Sequence, residues 1–192
     1  MTILNENVQF FSIDELKKSG LSYYKINKLV KDGKLIKRNK KIYENTEYKG
    51  DMTDFSNVSP FTPNGVFCMM SAARYYNLTN YLPDAVDVAI ERSMKISTLP
   101  GWPDIRIWYF PDKRYKKGVS EVSDEAGDYR MYDVEKTVVD IIYYRNKIGI
   151  EEMREILKNY LSKKDRDLNK LHNYAKELNC DRVLQTYLEV LL

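Results

Sequence analysis

The chain has a single histidine and only two cysteines in 192 residues. One imidazole cannot supply the ligand set of a multi-histidine metal centre, and His172 has no second His or Cys beside it. Ser-His-Asp hydrolysis would depend on that one residue, and no Gly-x-Ser-x-Gly elbow is present. A Gly-x-x-x-x-Gly-Lys phosphate loop is also missing. Cys68 and Cys180 are too few for a disulfide scaffold and lack metal-ligand spacing, so free thiols in a reducing cytosol are expected. No apolar run approaches the roughly 18 to 20 residues of a membrane span. The start, MTILNENVQF, has no basic stretch ahead of an apolar core, so no signal peptide is expected. Internal repeats and low-complexity tracts are lacking.

What is present is a chain 43% apolar, enough for a packed core, and long enough for one large or two small domains. Its net charge of +3 is unevenly spread. Residues 1–50 hold 11 Lys/Arg and 6 Asp/Glu, whereas residues 51–192 hold 20 and 22. Within 17–43 the balance is ten cations against one acid, Asp32. Such an asymmetry points that segment toward a polyanion.

The stretch from Ser22 to Tyr43, SYYKINKLVKDGKLIKRNKKIY, predicts a short helix and a basic hairpin. Ser22 suits an N-cap and Gly33 a left-handed helix terminus. Ile26, Leu29 and Val30 share one face, with Tyr23 near it and expected in the core. Tyr24, Asn27, Lys28 and Lys31 share the opposite face, with Lys25 at its margin. Leu35–Arg38 and Lys41–Tyr43 predict two strands joined through Asn39 and Lys40. Upstream, Ser12 and Glu15 have capping-box spacing for a helix from Ile13 to Ser19, stopped by Gly20. Two short helices around a glycine turn, then a basic hairpin, outline a winged helix-turn-helix whose second helix enters the major groove. Residues 1–9 are expected as a short helix or an arm.

Glu44 to Asn64, with Gly50, Pro60 and Pro63, reads as a linker with little regular structure, and the domain boundary is placed near Gly50. The domains are thus 1–50, DNA-binding, and 51–192, α+β. In the second, Val66–Asn77 predicts a buried helix. Ala85–Glu91, Ile105–Phe110 and Tyr129–Tyr132 predict strands. Asp112–Lys117 predicts a basic turn, and Ser120–Asp128 an exposed acidic segment. Four helical patterns follow, beginning at Asp133, Ile150, Asp167 and Arg182, the last running to Leu192. The expected architecture is α+β, a winged helix-turn-helix followed by a small sheet and a C-terminal helical cluster.

The stretch FSIDELKKSGLSYYKINKLVKDGKLIKRNKKIY resembles the winged helix of the AbiEi antitoxins, from type IV toxin–antitoxin (abortive infection) systems. GVFCMMSAARYYNL and YDVEKTVVDII resemble segments of that family's second domain, the latter placing Glu135, Lys136, Thr137 and Asp140 at its Glu-Arg-Thr-x-x-Asp positions. The chain departs from the family where Tyr23 and Tyr24 replace basic residues and where the wing has no glycine, which bears on the operator sequence. The resemblance implies a cytoplasmic repressor, not an enzyme and without cofactor or metal, that binds inverted repeats in its own promoter. It further implies an antagonist of a nucleotidyltransferase-like toxin that needs no stable complex with it.

The residues expected to meet double-stranded DNA are Ser22, Tyr24, Lys25, Asn27, Lys28, Lys31, Lys34, Lys37, Arg38, Lys40 and Lys41. Asn27 is the candidate for an adenine edge, and Arg38 for a narrow minor groove. Lys113, Arg114, Lys116 and Lys117 form a second basic patch, either a solvated tip or a nucleic-acid contact. No long heptad seam is evident, so a monomer in solution with two copies on a symmetric operator is expected. Alternatives are a ligand-responsive winged-helix regulator without a toxin, and a metal-dependent nuclease using Asp87, Glu91, Asp104 and Asp133.

Overall fold

The computed structural model describes residues 4–96 and 98–191. Part of the predicted N-terminal arm and the last residue of the predicted C-terminal helix lie outside them. The molecule is mixed α+β. Its described residues form two compact units. The first runs to Pro63 and includes Ile96–Ile105 and Ser123–Gly127; the second comprises Asn64–Lys95, Arg106–Val122 and the remainder from Asp128.

The first unit begins with turns at 4–9 rather than a helix. It continues through β1 (Phe10–Ser12), α1 (Ile13–Lys18), α2 (Tyr23–Lys31), β2 (Leu35–Lys37) and β3 (Ile42–Asn45). The three strands order as β1-β3-β2, antiparallel, with Phe11 opposite Tyr43 and Ile36 opposite Glu44. The predicted capping box forms: the Glu15 N–H donates to Ser12 Oγ at 3.1 Å, and the Ser12 N–H donates to Glu15 Oε2 at 2.7 Å. The bond from the Ser12 backbone holds the Glu15 carboxyl below its usual range. Ser22 caps α2, accepting from the Lys25 N–H. Gly33 follows α2 at φ +74°, and the Lys34 N–H returns to the Leu29 carbonyl at 2.9 Å. Ile26 is buried with Leu4, Leu16, Leu21, Leu35 and Tyr43, and Leu29 and Val30 pack on this cluster. Contrary to expectation, Tyr23 is 51% exposed. As the first residue of α2, it lies at the margin of the apolar face and not over the core.

The segment expected as a linker is structured. Thr53 caps α3 (Asp54–Val58) in a second capping box, and a 3-10 turn covers Ser59–Phe61. Gln9 Nε2 donates to Asn57 Oδ1 at 2.6 Å, and the Phe10 and Phe61 rings meet edge to face at 5.5 Å. These contacts draw residues 53–61 into the first unit, whose division from the second therefore falls after Pro63 and not near Gly50. Polar composition suggested a loop, but its Ser, Thr and Asn side chains serve caps and buried bonds.

The second unit contains a five-stranded sheet, ordered β6-β5-β4-β8-β7. In chain order its elements are β4 (Val66–Phe67), α4 (Met69–Tyr75), β5 (Val86–Glu91), β6 (Ile105–Phe110), α5 (Asp112–Lys116), β7 (Val119–Asp124) and β8 (Gly127–Tyr132). The sheet is mixed: β4 runs antiparallel to β5 and parallel to β8. The predicted Val66–Asn77 helix is split, because Val66 and Phe67 pair with Ala89 and Val88; a short apolar run does not distinguish buried strand from buried helix. Asp87 closes the split: its carboxylate accepts the Met70 N–H at 3.2 Å and Trp108 Nε1–H at 2.8 Å. Burial pushes the Asp87 carboxyl up against these bonds. The acidic segment at 120–128 is the β7–β8 hairpin, whose turn is fixed by Asp124 Oδ1, acceptor for the Ala126 and Gly127 N–H groups.

The helical cluster is α6 (Val134–Tyr143), α7 (Arg145–Ile148), α8 (Ile150–Ser162), α9 (Leu168–Glu177) and α10 (Asp181–Leu191). Asp133 caps α6, and Asp167 caps α9. Glu135 through Ile142 are all buried, so α6 is the axis of this unit. Cys68 and Cys180 are free and buried.

Burial pushes the Cys180 thiol up to about 11 and the Tyr76 and Tyr174 hydroxyls up to about 12. Between pH 9 and 11 an unfolded chain ionises Cys180 while the native chain retains the proton. Native stability is therefore complete below pH 9 and falls as pH rises through 11, by about 2–3 kcal/mol for this thiol. Denaturant midpoints measured from pH 8 to 11 should decline, and Cys180→Ala should flatten the decline.

Candidate nucleic-acid interface

On α2, Ile26 turns inward and the remaining hydrogen-bonding and cationic side chains turn out. Tyr24 is 79% exposed, and Lys25, Asn27, Lys28 and Lys31 are all exposed. Lys17 Nζ lies 5.2 Å from the Tyr23 ring centroid, so the outward tyrosine is bordered by a further cation. Lys37, Lys40 and Lys41 are exposed on the hairpin. Among the described residues, Lys25, Lys28, Lys31, Lys37, Lys40 and Lys41 have no carboxylate within ion-pair distance. Ser22 acts on the helix end through its cap, and its hydroxyl is already used by the Lys25 N–H.

Two members of the expected set are engaged within the protein. Lys34 Nζ pairs with Glu47 at 3.0 Å. Arg38 pairs with Glu44, and its guanidinium lies over the Trp102 ring, 5.4 Å from the centroid. Arg38 is thus a brace of the hairpin and not a free fork for a narrow groove. The turn itself needs no glycine, and it needs no positive φ at Asn39. Asn39 Oδ1 accepts the Lys41 and Ile42 N–H groups, both at 2.8 Å, so the amide side chain replaces the backbone freedom of glycine.

The second basic patch is corrected by the fold. Residues 112–116 form a helix, and Arg114 points into the core. It pairs with Asp140, donates to the Leu178 carbonyl at 2.9 Å and stacks on the Tyr143 ring at 3.9 Å. Lys116 pairs with Asp112 at 2.7 Å and Lys117 with Glu177 at 2.9 Å. Of the four, Lys113 alone is an exposed cation with no ion pair among the described residues. A run of cations along the chain says nothing of helical phase until the helix is known, and phase put Arg114 inside.

The residues at the family-like positions of α6 are also buried. Lys136 pairs with Asp140, which lies between its ammonium and the Arg114 guanidinium. Burial, aided by the charge of Arg114, lowers the Lys136 pKa, with Asp140 opposing. Glu135 accepts from Tyr160 Oη at 3.2 Å and from Lys170 at 3.0 Å. Gly118 allows this packing: a Cβ there would sit 2.7 Å from Lys136 Cβ. Three of the four carboxylates weighed as metal ligands are used otherwise. Asp87 binds Met70 and Trp108, Glu91 accepts from Ser93 Oγ, and Asp133 accepts from Lys136 N–H and Tyr174 Oη. Among the described residues no group of three His, Cys, Asp or Glu is placed to hold a metal ion.

Two exposed rings that local sequence did not place at this surface are Tyr23 and Trp102. Tyr23 could have been found from its place at the first helical position, which precedes the buried turn. Trp102 gave no local signal, because its partner Arg38 is distant in sequence. The second unit also holds a cavity of about 510 Å³, lined by Met70, Tyr81, Arg106, Ile107, Trp108, Lys147, Ile148 and Glu152. Among the described residues no helix is long and apolar enough to cross a membrane. No protein-family model matches the chain, and no curated protein matches it.

Proposed function

We propose that the first unit binds double-stranded DNA as a winged helix-turn-helix, with α2 in the major groove and the β2–β3 turn as the wing. The observation that carries this reading is the acid-free outward face of α2, continued by the hairpin's exposed lysines, which have no ion pair among the described residues. The order of strand, two short helices and hairpin supports it. Lysines contribute phosphate contacts that position the protein, and Asn27 offers an amide for a base edge.

On the AbiEi resemblance, the target is an inverted repeat in the protein's own promoter, occupied by two copies, and the consequence is repression of the operon. The same resemblance supports an antitoxin role against a nucleotidyltransferase-like toxin, without a stable complex, in the cytoplasm. No enzymatic step or cofactor forms part of this reading. A labelled duplex from the region upstream of the gene tests the first half. Binding should exceed that to a scrambled duplex and fall steeply with salt; equal, weak binding to both would defeat the operator reading. Growth rescue of cells expressing the neighbouring open reading frame tests the second half.

A second reading, a ligand-responsive winged-helix regulator, draws on the 510 Å³ cavity of the second unit, a volume within the range of small-molecule sites. A nucleotidyltransferase-like open reading frame beside the gene would favour the antitoxin reading.

A further inference from the structure

The segment 98–103 is remote in sequence from the hairpin, yet both belong to the first unit. Two contacts join them. Asn39 Nδ2 donates to the Thr98 carbonyl at 3.1 Å, while Oδ1 of the same amide holds the turn. The Arg38 guanidinium, fixed by Glu44, lies over the Trp102 indole. The loop therefore flanks the β2–β3 turn, and Trp102 remains 53% exposed beside it. An exposed indole alone means little. Its position matters here: the neighbouring turn carries Lys40 and Lys41, both exposed and without ion pairs among the described residues.

We infer that Trp102 is a DNA-contacting residue and that the 98–103 loop forms a second, aromatic edge of the wing. The inference rests on the duplex-binding reading above. Cationic turns take phosphates, and an aromatic ring beside them packs on the deoxyribose that the phosphates bring near. Arg38 and Asn39 are positioning residues in this arrangement. They hold the loop at the turn, which explains why the arginine best shaped for a groove is instead paired inside the protein.

The chain's two tryptophans make the test direct. Trp108 is 8% exposed and bonded to Asp87, whereas Trp102 is open to solvent. Full-length protein is titrated with the upstream duplex while acrylamide quenching of tryptophan emission is followed, with Trp102→Phe giving the Trp108 background. Binding is followed separately by anisotropy of the labelled duplex. The quenchable part of the emission should be lost on saturation, Trp102→Ala should weaken binding about tenfold, and Trp102→Phe should retain most of the affinity. Quenching that persists in the saturated complex, with Trp102→Ala binding as wild type, would overturn the assignment while duplex binding stands. Absence of any wild-type binding would remove the duplex reading itself, and this inference with it.

Discussion

Replacing Lys28 and Lys31 together by alanine should weaken binding to the upstream duplex by about one to two orders of magnitude and make the salt dependence shallower by about two units of slope. Both lysines are exposed on the same face of α2 as Asn27 and Tyr24, and neither is paired with a carboxylate among the described residues. Their charges are therefore available to phosphates without breaking an internal ion pair. Stability should not move, since neither side chain is buried. Asn27→Ala differs in kind. It should reduce discrimination between the upstream and scrambled duplexes, by about 1–3 kcal/mol if the amide pairs with a base, and leave the salt slope unchanged. A double-lysine variant with wild-type affinity and slope would exclude α2 as the reader. Lys34→Ala should do less than Lys37→Ala, because Lys34 is already shared with Glu47.

The second large effect belongs to the core of the other unit. Asp140→Ala should lower unfolding free energy by about 3–5 kcal/mol, read from denaturant melts. Among the described residues Asp140 is the one carboxylate paired with the two buried cations, Arg114 and Lys136, and its loss leaves both uncompensated. Lys136→Met should cost far less, about 1 kcal/mol or under, because the remaining Arg114–Asp140 pair is balanced. Asp140→Asn, which keeps the volume and removes the charge, separates charge balance from packing and should cost nearly as much as Asp140→Ala. The pH dependence has a defined sign. With its folded pKa below the unfolded value, Lys136 penalises the native state at low pH, and the penalty fades as pH rises from the folded value toward the unfolded one. That trend opposes the alkaline loss from Cys180, so Lys136→Met should steepen the decline above pH 9.

Comparison of the two units shows which features were legible from local sequence. The caps at Ser12, Ser22 and Asp133 form as their spacing implies, because a cap needs only its own first turn. β6 occupies the range read from alternation, and Gly33 closes α2 with the predicted left-handed backbone. The outward face of α2 was equally readable, since 100° per residue and a buried Ile26 suffice to locate it. The errors share a different cause. Val66–Phe67 became a strand through pairing with β5, and residues 53–61 became part of the first unit through Asn57 and Phe61. Neither partner lies within the window that periodicity reads.

The chain's helical stripes, caps and charge asymmetry are written in adjacent residues, and they specified a basic helix and hairpin near the N-terminus. Which of its cations are free was decided by packing. Arg114 turned inward to Asp140, Arg38 was clasped by Glu44 and Trp102, and Lys28, Lys31, Lys40 and Lys41 were left to solvent. A charge is counted along the chain, but its availability depends on the carboxylates and rings that the fold brings within a few ångströms, and those are set by long-range contacts.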